Sequence, residues 1–202
     1  MTLDEIALKH GTDKASSHHD YCRIYERYFA PLRDEPINLL EIGVQFGLSI
    51  QTWSDYFRRG TIFGVDIADN YKTDNPRVHL FLGDQADPGF WKGFLPETTF
   101  DIVVDDGCHH KDAQWTSCAA LWPRVKPGGF YIIEDCFTWW DLDFTQQVGL
   151  PVWLELLIGR VNLHGKVYHG KPRPMSNPVF EPGEKTVEFV HCYYGLVILK
   201  KK

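Results

Sequence analysis

The chain has no Cys-x-x-Cys pair, no long apolar run and no surplus of positive charge, and each absence closes off a class of function. Five cysteines, at positions 22, 108, 118, 136 and 192, are odd in number and lack metal-ligand spacing. They read as reduced, buried or half-buried thiols of a cytoplasmic protein, not as a disulfide framework or a zinc set. Without a long apolar run, neither a transmembrane helix nor a secretory leader is expected. The formal charge of −6 and pI near 5.8 disfavour nucleic acid and anionic membranes as partners, since both select a basic face. The closing Lys200-Lys201-Lys202 reads as a solvated tail. No repeats or low-complexity tracts interrupt the chain. What is present is an ordinary globular composition, 44% hydrophobic and 24% charged, over 202 residues. That length suits one α/β domain with a sizeable core.

The hydrophobic pattern sets the order of elements. Thr2-Leu3-Asp4-Glu5 has capping-box spacing, so a short helix is expected to about Lys9, stopping at Gly11. A polar loop over 11–19 leads to a helix from about Asp20 to Phe29, closed by Pro31. Strands are expected at 38–42, 61–66, 78–82, 100–105 and 129–134, with helices near 48–59, 88–94 and 110–122. This alternation is the pattern of a parallel sheet covered on both faces, and strands such as Phe100-Asp101-Ile102-Val103-Val104 are nearly continuous apolar runs. Residues 136–185 break the rhythm with Trp139, Trp140, Trp153, a helical run near 150–163 and a Pro-rich stretch from Pro172 to Pro182. A long irregular insertion of this kind is more often functional than idle. A closing hairpin is expected from strands 186–192 and 196–200, turning at Tyr194-Gly195. The chain thus divides into an N-terminal helical cap (1–36), the alternating body, and an acceptor-side insertion (136–185) within one domain.

Two constellations carry chemistry. In the first, Leu39-Leu40-Glu41-Ile42-Gly43-Val44-Gln45-Phe46-Gly47 joins an apolar strand to a turn with glycines four apart. About twenty residues on, Ile62-Phe63-Gly64-Val65 ends in Asp66, where a doubly wound fold places a carboxylate for ribose hydroxyls. The spacing departs from G-x-G-x-x-G; an E-x-G-x-x-x-G turn suits S-adenosylmethionine, which has no pyrophosphate to lay on a helix terminus. A tight βα turn with no ligand would share the same local sequence. In the second, Asp105-Asp106-Gly107-Cys108-His109-His110 ends the fourth strand and Glu134-Asp135 the fifth. Consecutive strands tend to be neighbours, so these acids should meet at one crevice beyond the strand ends. Gathered carboxylates repel unless protonated or bound to a cation, and oxygen-only donors suit a hard ion such as Mg²⁺. Asp-Asp-Gly is also a plain turn sequence, and an acid after a strand often caps a helix. His109 is the natural general base beside such a site, with His110 one residue further and facing away.

The ordered set of motifs resembles a family: the metal-dependent macrolide sugar O-methyltransferases, of the mycinamicin VI and demethylmacrocin O-methyltransferase type, within the class I enzymes that use S-adenosylmethionine. The resemblance rests on Gly11-Thr12-Asp13-Lys14 with His18-His19, Glu41-Ile42-Gly43-Val44, Gly64-Val65-Asp66-Ile67, Gly83-Asp84-Gln85, Asp105-Asp106-Gly107-Cys108-His109, and Pro127-Gly128-Gly129 through Ile133-Glu134-Asp135. It covers about residues 8–138. It implies a Rossmann-like fold with a mostly parallel seven-stranded sheet and a C-terminal antiparallel hairpin. It implies cofactor contacts from Thr12, Glu41, Ile42, Gly43, Val44, Gln45, Phe46, Gly47, Ser49, Asp66, Asp84, Gln85 and Asp106. It also implies Mg²⁺ on Asp106, Glu134 and Asp135, with His109 as base. Two departures stand out: those enzymes carry an additional N-terminal domain, and the segment after Asp135 resembles them poorly, so the acceptor does not transfer.

The reading is therefore a methyl transfer to a hydroxyl of a small molecule, plausibly a sugar or glycosylated natural product, with a homo-oligomer compatible with it. A nucleic-acid or protein methyltransferase would share the cofactor half, but the acidic balance and the lack of an Asn-Pro-Pro-Tyr type motif count against a nucleic-acid amine acceptor. A nicotinamide-dependent oxidoreductase would need a different glycine spacing. A non-catalytic binding protein would make His109 dispensable. Trp139 and Trp140 could wall an acceptor pocket, although core packing is the commoner fate of tryptophan. His164, His169 and His191 have no assigned role.

Overall fold

The computed structural model describes residues 1–140, 154, 157, 158 and 186–202. Of the expected helix near 150–163 only residues 154, 157 and 158 are described, and these are helical; the rest of that run, Trp153, His164, His169, the Pro172–Pro182 stretch and the side chain of Trp140 lie outside the described residues. The elements are α1 (Leu3–His10), α2 (Tyr21–Phe29), β1 (Asn38–Ile42), α3 (Leu48–Tyr56), β2 (Thr61–Asp66), β3 (Val78–Leu82), α4 (Pro88–Gly93), β4 (Phe100–Asp105), α5 (Lys111–Leu121), β5 (Val125–Ile133), β6 (Val187–Tyr193) and β7 (Leu196–Lys201). The expected capping box forms at α1, with Glu5 N–H donating to Thr2 Oγ1 at 3.2 Å and Thr2 N–H to Glu5 Oε2 at 2.8 Å. Gly11 then ends the helix at φ 80°, a conformation that glycine adopts without a Cβ clash.

The seven strands form one sheet in the order β3-β2-β1-β4-β5-β7-β6. β1 to β5 are parallel, while β7 runs antiparallel to both β5 and β6. Alternate side chains feed two cores, because successive residues of a strand point to opposite faces. Leu39, Ile62, Ile102, Val104 and Ile132 pack with Leu3, Ile6, Tyr25 and Trp53 of α1, α2 and α3. Leu40, Ile42, Val65, Val103, Tyr131 and Ile133 pack on the other side with Trp91, Cys118 and Leu121 of α4 and α5. Both faces are covered, as the unbroken apolar strands require.

Three expectations need correction. β5 starts at Val125, not 129: Val125 pairs with Phe100, then the register jumps to Phe130 against Ile102. Lys126 to Gly129 form an irregularity within the strand, so the Pro-Gly-Gly turn signal sits inside it. Helix α3 stops at Tyr56 because Phe57 leaves helical geometry at φ −91°, ψ 81°. All five cysteines are free, but Cys108 and Cys192 are exposed; Cys108 lies in the loop after β4, and Cys192 on edge strand β6. No helix among the described residues is long and apolar enough to cross a membrane.

Candidate active site

β1 is the pivot of the sheet, with β2 on one side and β4 on the other. Such a switch in strand order opens a crevice at the carboxyl ends of the strands. A cavity of about 520 Å³ lies there, lined by the Gly11–Lys14 loop, the β1–α3 turn, Asp66, Asp84, Gln85, Asp106 and Asp135, among others. Gly43 (φ 89°) lets the turn pass against the end of β4, since a Cβ there would sit 2.0 Å from the Asp106 carbonyl oxygen. Asp66 stiffens the same turn: its Oδ2 accepts the backbone N–H groups of Val44 and Gln45, each at 2.8 Å.

The expected cofactor residues separate into two groups. Thr12, Ile42, Gly43, Val44, Gln45, Phe46, Ser49, Asp66, Asp84, Gln85 and Asp106 line the cavity. Phe46 is 63% exposed and Ile67 72%, so two apolar side chains stand at a wetted wall where a flat ring could lie. Glu41 and Gly47 are not in the lining. Glu41 is fully buried beneath it; Ser49 Oγ donates to its Oε2 at 2.7 Å, while Oε1 has no hydrogen-bond partner among the described residues. Burial pushes its carboxyl up to about 7, against the opposing pull of Lys14. The Gln85 side chain is also committed inward, its Nε2 donating to Asp105 Oδ1 (2.5 Å) and its Oε1 accepting from Cys108 N–H (3.1 Å).

The two acidic pairs converge as their strand positions dictate. β4 pairs with β5, and Glu134 N–H donates to the Asp105 carbonyl at 3.0 Å. Within each pair, however, one acid points down and one up. Asp105 is wholly buried among Gln85, Ser117 and Tyr131. Glu134 is buried too, accepting from Tyr25 and Lys14. Asp106 and Asp135 face the cavity, and donor atoms of Asp106, His109 and Asp135 lie within 4.8 Å of one another. His109 Nε2 is 3.6 Å from Asp135 Oδ2, and its Nδ1 is buried without a hydrogen-bond partner among the described residues. His110 caps α5 and is exposed.

Sequence reasoning missed what holds this cluster. Lys14, 2% exposed, contacts Asp106, reaches Glu134 Oε2 at 3.0 Å, and comes within 3.8 Å of Glu41 Oε1. Burial works to lower its pKa, but Asp106, Glu134 and Glu41 together hold it well above the ordinary lysine value. From α2, Tyr21 donates to Asp135 Oδ1 at 2.8 Å, and Tyr25, one turn later, to Glu134. The only local signals were the Gly11–Lys14 motif and the tyrosines four apart on one helix face. Trp139 does not wall this cavity: it is buried in the core, its Nε1 donating to Gln114 Oε1 at 2.7 Å. His191 lies away on β6, against Tyr28 and Phe189.

Comparison with known proteins places the chain's sequence and fold among methyltransferases. A methyltransferase-domain family model matches residues 40–136. The 8-demethyl-8-alpha-L-rhamnosyl tetracenomycin-C 2'-O-methyltransferase of Streptomyces olivaceus is 36% identical over 99% of this chain and 54% of its own. The mycinamicin VI 2''-O-methyltransferase of Micromonospora griseorubida is 32% identical over 98% of this chain and 52% of its own. The crystal structure of the MycE methyltransferase from the mycinamycin biosynthetic pathway, with Mg and SAH, superposes with a TM-score of 0.84 at 31% identity, covering 100% of this chain and 53% of that one. The chain thus spans about half the length of the curated relatives it matches.

Proposed function

From the premise that this chain belongs to the class I methyltransferases, we propose that it is the catalytic part of an S-adenosylmethionine- and Mg²⁺-dependent O-methyltransferase acting on a sugar hydroxyl of a glycosylated natural product. The observation that carries the reading is the meeting of Asp106, His109 and Asp135 at the cavity that the β1–α3 turn and Asp66 also line. One ammonium, Lys14, and one imidazole, His109, face the carboxyls of Glu41, Asp106, Glu134 and Asp135. That gathering of carboxyl oxygen donors around a single ammonium fits a hard divalent cation. Asp106 and Asp135, with Glu134 behind them, would hold Mg²⁺, which supplies Lewis acidity to an acceptor hydroxyl when bound.

The chain's own groups then have distinct tasks. The turn amides of Val44 and Gln45, fixed by Asp66, shape the cofactor end. His109 Nε2, the ring nitrogen aimed at the acids, takes the hydroxyl proton, and the Asp135 carboxylate stabilises the imidazolium that results. Tyr21 keeps Asp135 in place from behind. Much of the acceleration comes from holding the acceptor oxygen in line for attack. On the acceptor side, Phe137 and the 86% exposed Tyr194 stack at 6.1 Å. They lie close to Asp135, because the Tyr21 hydroxyl that donates to that carboxylate at 2.8 Å also lies 3.2 Å from the Gly195 carbonyl. Paired aromatic faces suit the apolar face of a sugar ring.

The test is transfer of a labelled methyl group to a panel of rhamnosylated and deoxysugar-bearing polyketides, read by mass spectrometry. Turnover should vanish with chelator and return with Mg²⁺. Full activity in metal-stripped protein would remove the cation from the reading, and labelling of protein or nucleic acid instead would remove the acceptor.

A further inference from the structure

Buried lysine is rare, and Lys14 is enclosed by three carboxyl groups from three different strand ends: Glu41 near the end of β1, Asp106 after β4 and Glu134 after β5. Its backbone is tied down as well, for the Cys22 N–H at the start of α2 donates to the Lys14 carbonyl at 2.9 Å. Lys14 therefore fastens the N-terminal segment to the carboxyl edge of the sheet, and its ammonium occupies the charge centre of the acidic cage. Asp106 is shared: it contacts Lys14 and also belongs to the open group with His109 and Asp135. A carboxylate offers about four lone-pair sites, and the flexible lysine stem can retreat toward Glu134 and Glu41.

We infer that Lys14 is a positioning residue that serves as a resident counter-ion: its ammonium keeps Asp106 and Glu134 together in the absence of a divalent ion, and yields Asp106 when one binds. The inference rests on the proposal that this cage takes Mg²⁺.

The experiment compares the full chain with Lys14→Met and Lys14→Arg by thermal melts in chelator and in excess Mg²⁺, together with calorimetric Mg²⁺ titration. In chelator, wild type and Lys14→Arg should melt at nearly the same temperature, and excess Mg²⁺ should raise both by the same mass-action shift of binding. Lys14→Met should melt lower in chelator and recover most of the loss with Mg²⁺. Its Mg²⁺ affinity should tighten by about tenfold, because the competing like charge is gone. If the deficit of Lys14→Met is equal with and without Mg²⁺, or its affinity is unchanged or weaker, Lys14 is a structural tether only and the inference falls. A Lys14→Met chain that folds only with Mg²⁺ supports it, and one that folds in neither condition overturns it. If wild type itself shows no Mg²⁺ binding, the cation reading fails first, a result separable from the others by the silent wild-type titration.

Discussion

His109 and Asp135 both hold left-handed backbone without being glycine, at φ 58° and 54°, and they face each other across the inner end of the cavity. Non-glycine residues in this region are uncommon and persist where surrounding contacts fix them. For Asp135 the fixing contacts are visible: Thr138 N–H donates to its carbonyl at 3.0 Å, and Tyr21 holds its carboxylate. If His109 is the base, His109→Ala should reduce turnover by about 10²–10⁴ while leaving S-adenosylhomocysteine affinity intact. His110→Ala, altering an exposed neighbour, should be mild. Steady-state kinetics on the two variants decide this, and near wild-type turnover in His109→Ala would hand the proton to another group. Asp105 makes a different prediction. Burial raises its carboxyl to about 6, partly opposed by hydrogen bonds from Ser117, Tyr131 and Gln85. With the folded pKa above the ordinary value of about 4, the folded chain holds the extra proton between roughly pH 4 and 6. This contribution to stability is therefore present at low pH and lost as pH rises through that window. Denaturant melts at a series of pH values should show a shallower decline in Asp105→Asn; an unchanged slope would mean the proton sits elsewhere.

At the scale of elements, period and capping chemistry made most of the fold legible. The capping box at α1, the Gly11 stop, the five parallel strands and the terminal hairpin all follow from local patterns. The start of β5 did not, because Pro127-Gly128-Gly129 has the chemistry of a turn and only pairing with Phe100 and Ile102 reveals the interruption as internal. The inner site was half legible for a related reason. Which strand ends bear acids is written locally, but the register of Asp105 against Ile133 puts Asp105 and Glu134 on opposite faces of the sheet, and Asp106 and Asp135 reach the cavity only beyond the strand ends, where Asp135 turns at φ 54°. Lys14 was missed because its partners lie 92 and 120 residues away, and no local spacing encodes an ion pair of that span. The β1–α3 turn yields the sharpest element-level test. Gly43→Ala adds a Cβ to a left-handed residue 2.0 Å from the Asp106 carbonyl, so the turn must move off β4. A loss of about 1–3 kcal/mol is expected, lowering the melting temperature by roughly 2–12 °C for a chain of this size. Cofactor affinity should fall with it, since the same shift displaces the amides of Val44 and Gln45. A wild-type melt would show that the turn has room this geometry denies it.

For the whole molecule, the decisive feature is that the turn after β1 and the acids after β4 and β5 line one crevice. The sheet's strand order reverses at β1, so the turn proposed for the cofactor and the acids proposed for the reacting end share a single cavity at the carboxyl ends of the strands. A ligand that spans that crevice ties β1, β2 and β4 together, and binding to the folded state alone stabilises it by mass action. At a concentration of about 100 times Kd the gain is about 2.7 kcal/mol, which raises the melting temperature by roughly 5–10 °C. S-adenosylhomocysteine should produce such a shift, and NAD should produce none, because the turn lacks the glycine spacing for a pyrophosphate. Asp66→Ala provides the internal control. On the proposed reading, removing its carboxylate would take away a charge-assisted ribose contact worth about 1.5–3 kcal/mol, and it also removes the acceptor for Val44 and Gln45. Its unliganded melt should therefore start lower, and its ligand-induced shift at the same concentration should be largely lost. The shift, not the absolute melting temperature, separates a binding role from a scaffold role. An Asp66→Ala chain that melts lower but keeps the full shift would confine Asp66 to holding the turn.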